Sequence, residues 1–151
     1  MKKNIIGIML GVLILALCFT SIVTDADNPF VKYLSVGEVE KATGLKGVKA
    51  NHNVFLIFNN IEGNMILRVR FTQSKDFERE TKPEKYWAKV TGIGDKAKIG
   101  LPQAPCMLIF TKGERMVTVY TFMDNKSGKY FLTAEQLKAI SKAIEKNLTK
   151  K

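Results

Sequence analysis

An α+β domain built on an antiparallel sheet is the fold class that this sequence predicts, and three observations predict it. Two helix-start signatures, at Ser35 and Thr133, stand near the two ends of the mature region. Two apolar hairpins lie between them, around residues 54–71 and 106–122. One strand alternates cleanly, with Met65, Leu67, Val69 and Phe71 on one face and Ile66, Arg68 and Arg70 on the other. Such alternation means a sheet with one well-covered face, so the expectation is about four to six strands with helices packed mainly on one side.

The first helix opens at Leu34-Ser35-Val36-Gly37-Glu38-Val39. Ser35 is placed to cap, Glu38 to reach back as its capping-box partner, and Leu34 to staple onto Val39. Gly44 is placed to end it. The first hairpin follows as Val54–Phe58, a turn at Asn59–Asn64, and Met65–Phe71. A middle helix is expected over Pro83–Val90, with a start as early as Lys75, and it carries Tyr86 and Trp87. A short strand at Lys96–Ile99 adds to the sheet. The second hairpin is Cys106–Phe110, a turn at Lys112-Gly113-Glu114, and Met116–Phe122. Val54–Phe58 and Cys106–Phe110 are apolar on both faces, as central or doubly covered strands are. Leu101–Pro105 and Asp124–Lys129 read as loops. Thr133 with Gln136 repeats the capping box, and the last helix is expected to bury Leu137, Ile140, Ile144 and Leu148.

Both hairpins contain Leu-Ile-Phe, a glycine-bearing turn and a Met-led strand that ends in Phe. Upstream, Lys41-Ala42-Thr43-Gly44-Leu45 echoes Lys89-Val90-Thr91-Gly92-Ile93. This predicts a duplicated helix–hairpin unit with a closing helix, against the alternative of chance likeness between similarly built hairpins.

The N-terminus is of a different kind. Lys2 and Lys3 precede the apolar stretch Ile5–Val23, and no charge intervenes before Asp25. A basic start, an apolar middle and small residues at Thr24 and Ala26 make a secretory signal cleaved after Ala26. Two other readings stay open. The 19 residues of Ile5–Val23 span roughly 28 Å as a helix, enough for a retained membrane anchor. Leu15-Ala16-Leu17-Cys18 is similar to a lipoprotein box, although Leu17 is larger than that pattern wants. The domain plan is therefore residues 1–26 as signal peptide or anchor and 27–151 as one extracytoplasmic domain. That length suits one hydrophobic core. All three readings place the domain outside the cytoplasm, in the periplasm or cell envelope, secreted or held at the inner membrane by residues 5–23.

Val90-Thr91-Gly92-Ile93-Gly94-Asp95-Lys96-Ala97, followed by an apolar strand, a Lys-Gly turn and another apolar strand, resembles a motif of small exported bacterial domains of unknown function. There the pattern reads Val-x-Gly-x-Gly-Asp-x-Ala. Their opening helix is also similar to Leu34-Ser35-x-x-Glu38-Val39 with Thr43-Gly44. The resemblance covers most of residues 33–148. It implies a fold similar to PsbP-like sandwiches or to the β-lactamase inhibitor protein, and it implies no catalytic residues. Many of those families carry a cysteine near the mature start; Asn28-Pro29-Phe30 has none.

Composition narrows the chemistry. The chain has 151 residues, a net charge of +10, two Cys and one His. Closed zinc sites of four cysteines, or of two cysteines and two histidines, lack their ligands. No metal and no cofactor is expected. Gly92, Gly94 and Asp95 read as a tight turn in which Asp95 bonds nearby backbone; a phosphate loop would need a third glycine and a following helix. His52 reads as a surface-loop residue and Cys106 as a small buried hydrophobe. Glu78, Glu80 and Glu84, interspersed with Arg79, Lys82 and Lys85, read as a salt-bridged face in preference to a glycosidase carboxylate pair.

The basic excess is mostly lysine without a dense run, and export argues against nucleic acid as target. A positive field favours an envelope protein or an anionic polymer or lipid surface. Arg68 and Arg70 on their strand, with Tyr86 and Trp87 on the expected middle helix, form the candidate contact patch. The functional expectation is a non-enzymatic, exported binding or adaptor domain of the bacterial envelope. The alternative is a small extracytoplasmic hydrolase or ligand carrier, whose sign would be convergent buried carboxylates in a pocket.

Overall fold

The structure, a computed structural model, describes residues 28–101 and 106–150. The signal, anchor and lipidation readings of residues 1–26, and most of the loop expected at Leu101–Pro105, lie outside the described residues. Among the described residues the elements run α1 (Val36–Thr43), β1 (Lys49–Ala50), β2 (Leu56–Asn59), β3 (Met65–Gln73), α2 (Phe77–Glu80), β4 (Trp87–Lys89), β5 (Lys96–Gly100), β6 (Met107–Lys112), β7 (Arg115–Thr121) and α3 (Ala134–Leu148). The strands form one antiparallel sheet in the order β1-β2-β3-β7-β6-β5-β4. The α+β class holds, but seven strands replace the expected four to six. The additions are short edge strands, β1 and β4, whose two and three residues carry too little alternation to be read.

Both long helices begin as their side chains dictate. Ser35 Oγ accepts the Glu38 N–H while Glu38 Oε2 accepts the Ser35 N–H at 2.8 Å. Thr133 and Gln136 repeat the exchange at α3. Gly44, at φ +74°, closes α1 in the left-handed conformation that Gly adopts without a Cβ penalty. The same capping residues lock the helices together. Gln136 Nε2 donates to the Thr43 carbonyl at 2.7 Å, joining the start of α3 to the end of α1. Asn147 Nδ2 donates to Glu38 Oε1 at 2.8 Å, joining the end of α3 to the start of α1. The two helices are therefore antiparallel.

Register sorts the sheet into two faces. On the helix-covered face, Leu56 and Phe58 of β2, Leu67 and Val69 of β3, Val117 and Val119 of β7, and Leu108 and Phe110 of β6 meet Leu137, Ile140 and Ile144 of α3. Those three α3 side chains are fully buried, as their 3.6-residue spacing predicts, and Leu148 is half-buried. On the opposite face a small second cluster joins Phe77 of α2 to Ile109 and Met116, with Trp87 and Met107 packed against it. Ile109 is thus covered on its side as Phe110 is on the other, which is why β6 is apolar on both faces from Met107 to Phe110.

The middle of the chain departs from expectation. No helix runs over Pro83–Val90: α2 ends at Glu80, a single 3-10 turn spans Glu84–Tyr86, and Trp87–Lys89 is the edge strand β4. Ala88 pairs with Ile99 and faces the main core, while Trp87 turns to the Phe77 cluster. Pairing with β5 overrides the local helical pattern, as tertiary context commonly does. The two long helices, α1 and α3, share one face as expected, while the one-turn α2 sits on the other. The echo between Lys41–Leu45 and Lys89–Ile93 accordingly joins the end of a helix to the end of a strand. What does correspond between the halves is a pair of three-stranded meanders, β1-β2-β3 and β5-β6-β7, meeting along β3–β7.

Candidate functional site

The site lies on the sheet face opposite α1 and α3, in the part that the Phe77 cluster leaves open. Register sets it out. Arg68 of β3 lies opposite Tyr120 of β7 and beside Ile57 of β2, and Arg70 lies opposite Thr118. Tyr120, Thr118 and Met116 point to this face because they alternate with the core residues Val119 and Val117.

Arg68 is the unusual member. Its guanidinium carbon is 4.7 Å from the Tyr120 ring centre, 5.3 Å from Phe55 and 5.6 Å from Phe122. These are cation–π distances, so three rings hold the planar fork in place. Among the described residues it has no carboxylate partner and no hydrogen bond, and its Nε is buried without a partner in the protein. Arg70 is differently placed. Its Nη2 is 2.7 Å from Glu80 Oε2 of α2, a half-buried ion pair, although its Nε is likewise buried and unpaired. Thr72 Oγ1 and Thr118 Oγ1 on the same face are also buried without a partner. Buried polar groups are satisfied in the great majority of cases, so four orphans on one patch mark it as costly to fold. Two exposed apolar residues are chain neighbours of these rings: Val54, before Phe55, is 82% exposed and Met123, after Phe122, is 50% exposed.

The contact patch read from sequence is therefore split. Arg68 and Arg70 share a face, but Trp87 stands on edge strand β4, with β7, β6 and β5 between it and β3. Trp87 packs on the Phe77 cluster and Tyr86 sits in the turn before it. The rings that surround Arg68 are Phe55, Tyr120 and Phe122, which sequence reasoning did not single out. Tyr120 and Phe122 alternate with core positions in the second hairpin. Linking them to Arg68 requires the β3–β7 pairing, and hairpin signals alone do not reveal a pairing between hairpins.

The other residues weighed for chemistry fall into place. Gly92 and Gly94 take φ +75° and +57°, and Ile93 between them is buried in the core. The Asp95 N–H donates to the Thr111 carbonyl at 2.8 Å, and Asp95 Oδ2 accepts the Gly113 N–H at 2.7 Å. The segment clamps the β6–β7 turn. His52 is buried, not on the surface: its Nδ1 accepts the Ile57 N–H at 3.1 Å and its ring stands edge-on to Phe58. The loop that carries it folds back onto β2. Cys106 is half-buried against the core, and burial pushes its thiol up, away from the reactive thiolate. Glu78, Glu80 and Glu84 each face a strand cation, respectively Lys96 at 2.8 Å, Arg70 at 2.7 Å and Lys98 at 3.7 Å.

A cavity of about 460 Å³ opens beside α2, lined by Phe77, Lys89, Val90, Gly92, Lys96 and Lys98 among others. Two of its lysines are engaged, Lys96 by Glu78 and Lys98 by Thr81 Oγ1 at 3.2 Å. The hydrogen bond from Lys96, the first of the effects on Glu78, holds that carboxyl below its ordinary value. Among the described residues no group of three or more His, Cys, Asp or Glu side chains is arranged to hold a metal ion, and no helix is long and apolar enough to cross a membrane.

The chain matches no protein-family model, no curated protein and no solved structure.

Proposed function

We propose that this chain is a non-enzymatic binding or adaptor domain, exported to the bacterial cell envelope. The observation that carries the binding reading is Arg68. It is a half-buried arginine ringed by three aromatic side chains and, among the described residues, it has no counter-charge and lies on a sheet face that no long helix covers. Arginine and aromatic residues together are the composition of binding hot spots. Export is supported by Lys2 and Lys3 ahead of the apolar run Ile5–Val23, and the likeness to small exported domains points the same way.

The cavity beside α2 favours a second reading, a carrier of a small anionic ligand. It ranks second because Lys96 and Lys98 already have partners.

Crosslinking in the native host, after separating membrane from soluble fractions, tests the first reading. A single envelope protein recovered with the tagged full chain, and lost with Arg68→Glu, is the expected result. Substituting Arg68 alone is the cleaner change, because Arg70→Glu would also break the Glu80 pair. No partner in either fraction, with turnover of a small substrate by the purified chain, refutes the reading.

A further inference from the structure

We infer that Arg68 is the receptor for a carboxylate on an acidic, apolar-flanked peptide segment of a protein partner; the inference rests on the binding reading above.

Charge comes first. Arg70 is already matched by Glu80, so among the described residues one uncompensated guanidinium remains on this part of the sheet. One free fork suits a monoanionic carboxylate. A phosphate dianion is better served by several cations.

Geometry comes second. A cation–π contact with Tyr120 uses none of the guanidinium N–H donors, and burial of Nε closes one side of the fork. The approach left is end-on, through the two terminal nitrogens. That is one of the bidentate modes of an arginine–carboxylate pair. The fork is held by Phe55, Tyr120 and Phe122 before any ligand arrives, so little side-chain freedom is lost on binding.

The surroundings then select the kind of carboxylate. Phe55, Tyr120 and Phe122 are themselves only half-buried, so a free small acid would leave their apolar surface wet. A peptide with leucine or phenylalanine beside its Asp or Glu covers it. Aromatic walls around the ion pair also exclude water, which strengthens the pair.

The probes are a labelled peptide in which glutamate alternates with leucine and phenylalanine, its glutamine counterpart, and vesicles of phosphatidylglycerol with phosphatidylcholine. Each is titrated against the full chain, and the Arg68 Nε–H resonance is followed beside the binding curve. The glutamate peptide is expected to bind about tenfold to hundredfold more tightly than the glutamine peptide, the worth of a charge-assisted hydrogen-bonded pair. Arg68→Gln removes that difference, and Arg68→Lys, which keeps the charge and loses the fork, removes most of it. Phe122→Ala weakens both peptides alike and gives an independent reading should Arg68→Gln fail to fold. Equal binding of the two peptides, no binding of either, or a glutamate preference that survives Arg68→Gln overturns the inference. Arg68-dependent binding to vesicles without peptide binding overturns it also, in favour of a lipid surface. In each of these cases a crosslinked host partner that depends on Arg68 leaves the binding reading standing, so the two failures are distinguishable.

Discussion

Gly92 and Gly94 stand two residues apart in one turn, both at positive φ, and Gly94→Ala is expected to be far worse than Gly92→Ala. The backbone cost is common to both, since an L-residue in the left-handed region loses about 1–2 kcal/mol. The surroundings differ. A Cβ built on Gly92 meets nothing within 4 Å, whereas one on Gly94 falls 2.2 Å from the Thr111 carbonyl oxygen and 3.0 Å from Phe110 Cδ2. Neither neighbour can yield cheaply. Thr111 O accepts the Asp95 N–H, and Phe110 is fully buried in the main core. Forcing a methyl into packed surroundings costs about a further 1–3 kcal/mol. The totals are about 1–2 kcal/mol for Gly92→Ala and about 2–5 kcal/mol for Gly94→Ala. Urea unfolding of the full chain, followed through Trp87 and by circular dichroism, measures both if the slope is unchanged between variants. Equal losses in the two variants would falsify the claim that close approach of β6, and not φ alone, demands glycine at 94.

Three further outcomes follow from the helix pair and the open face. Burial pushes the Glu38 carboxyl up, but hydrogen bonds from Ser35 and Asn147 outweigh it and hold the group below its ordinary value. Its stabilisation is therefore full above the ordinary glutamate value of about 4.3 and is lost as pH falls through the lower folded value. Glu38→Gln should flatten that part of the acid-unfolding profile, and an unchanged profile argues against the link. Thr133→Ala should cost about 1 kcal/mol as a lost cap. Gln136→Ala should cost more, because Gln136 also holds the Thr43 carbonyl; a smaller loss than that of Thr133→Ala refutes the bridging role. Arg68→Leu should leave the urea midpoint unchanged or raised, since it removes a buried orphan Nε that costs about 1–3 kcal/mol while keeping apolar contact with the rings. A loss above about 1 kcal/mol would make Arg68 a structural residue through its ring contacts.

Local rules made the ends of this fold legible, and non-local pairing hid the middle. Ser35 with Glu38 and Thr133 with Gln136 are read from four adjacent residues, and both boxes close in the structure. The hairpins are read from alternation and turn residues, and their strands are shifted by one or two residues at the ends. Val54 and Phe55 precede β2, and β3 runs on to Gln73. Residues 83–90 fail because the deciding partner of Ala88 is Ile99, and no period within eight residues announces it. Half of the candidate site was visible in the same way. Arg68 and Arg70 stand out as charges on an alternating strand. Tyr120 and Phe122 join them only through pairing between the two hairpins, and Phe55 only because the loop before β2 turns its ring to Arg68.

The two faces of the sheet answer to different demands. On the α1–α3 face the large side chains from Leu56 to Ile144 are almost wholly enclosed, and the helices above them are tied at both ends by Gln136 and Asn147. Stability is supplied there. Among the described residues the other face has only the one-turn helix α2, which seals the Phe77 side and binds Arg70 through Glu80. Had covering this face been the sole demand, a leucine at 68 would pack on Ile57 and Tyr120 without an orphaned donor. Arginine at that position on a central strand weakens the fold while it holds a charged fork rigid among aromatic rings. A charge so placed gains from an anion arriving from outside more than from anything the described chain supplies, and this asymmetry is the reason we propose the open face as the binding one.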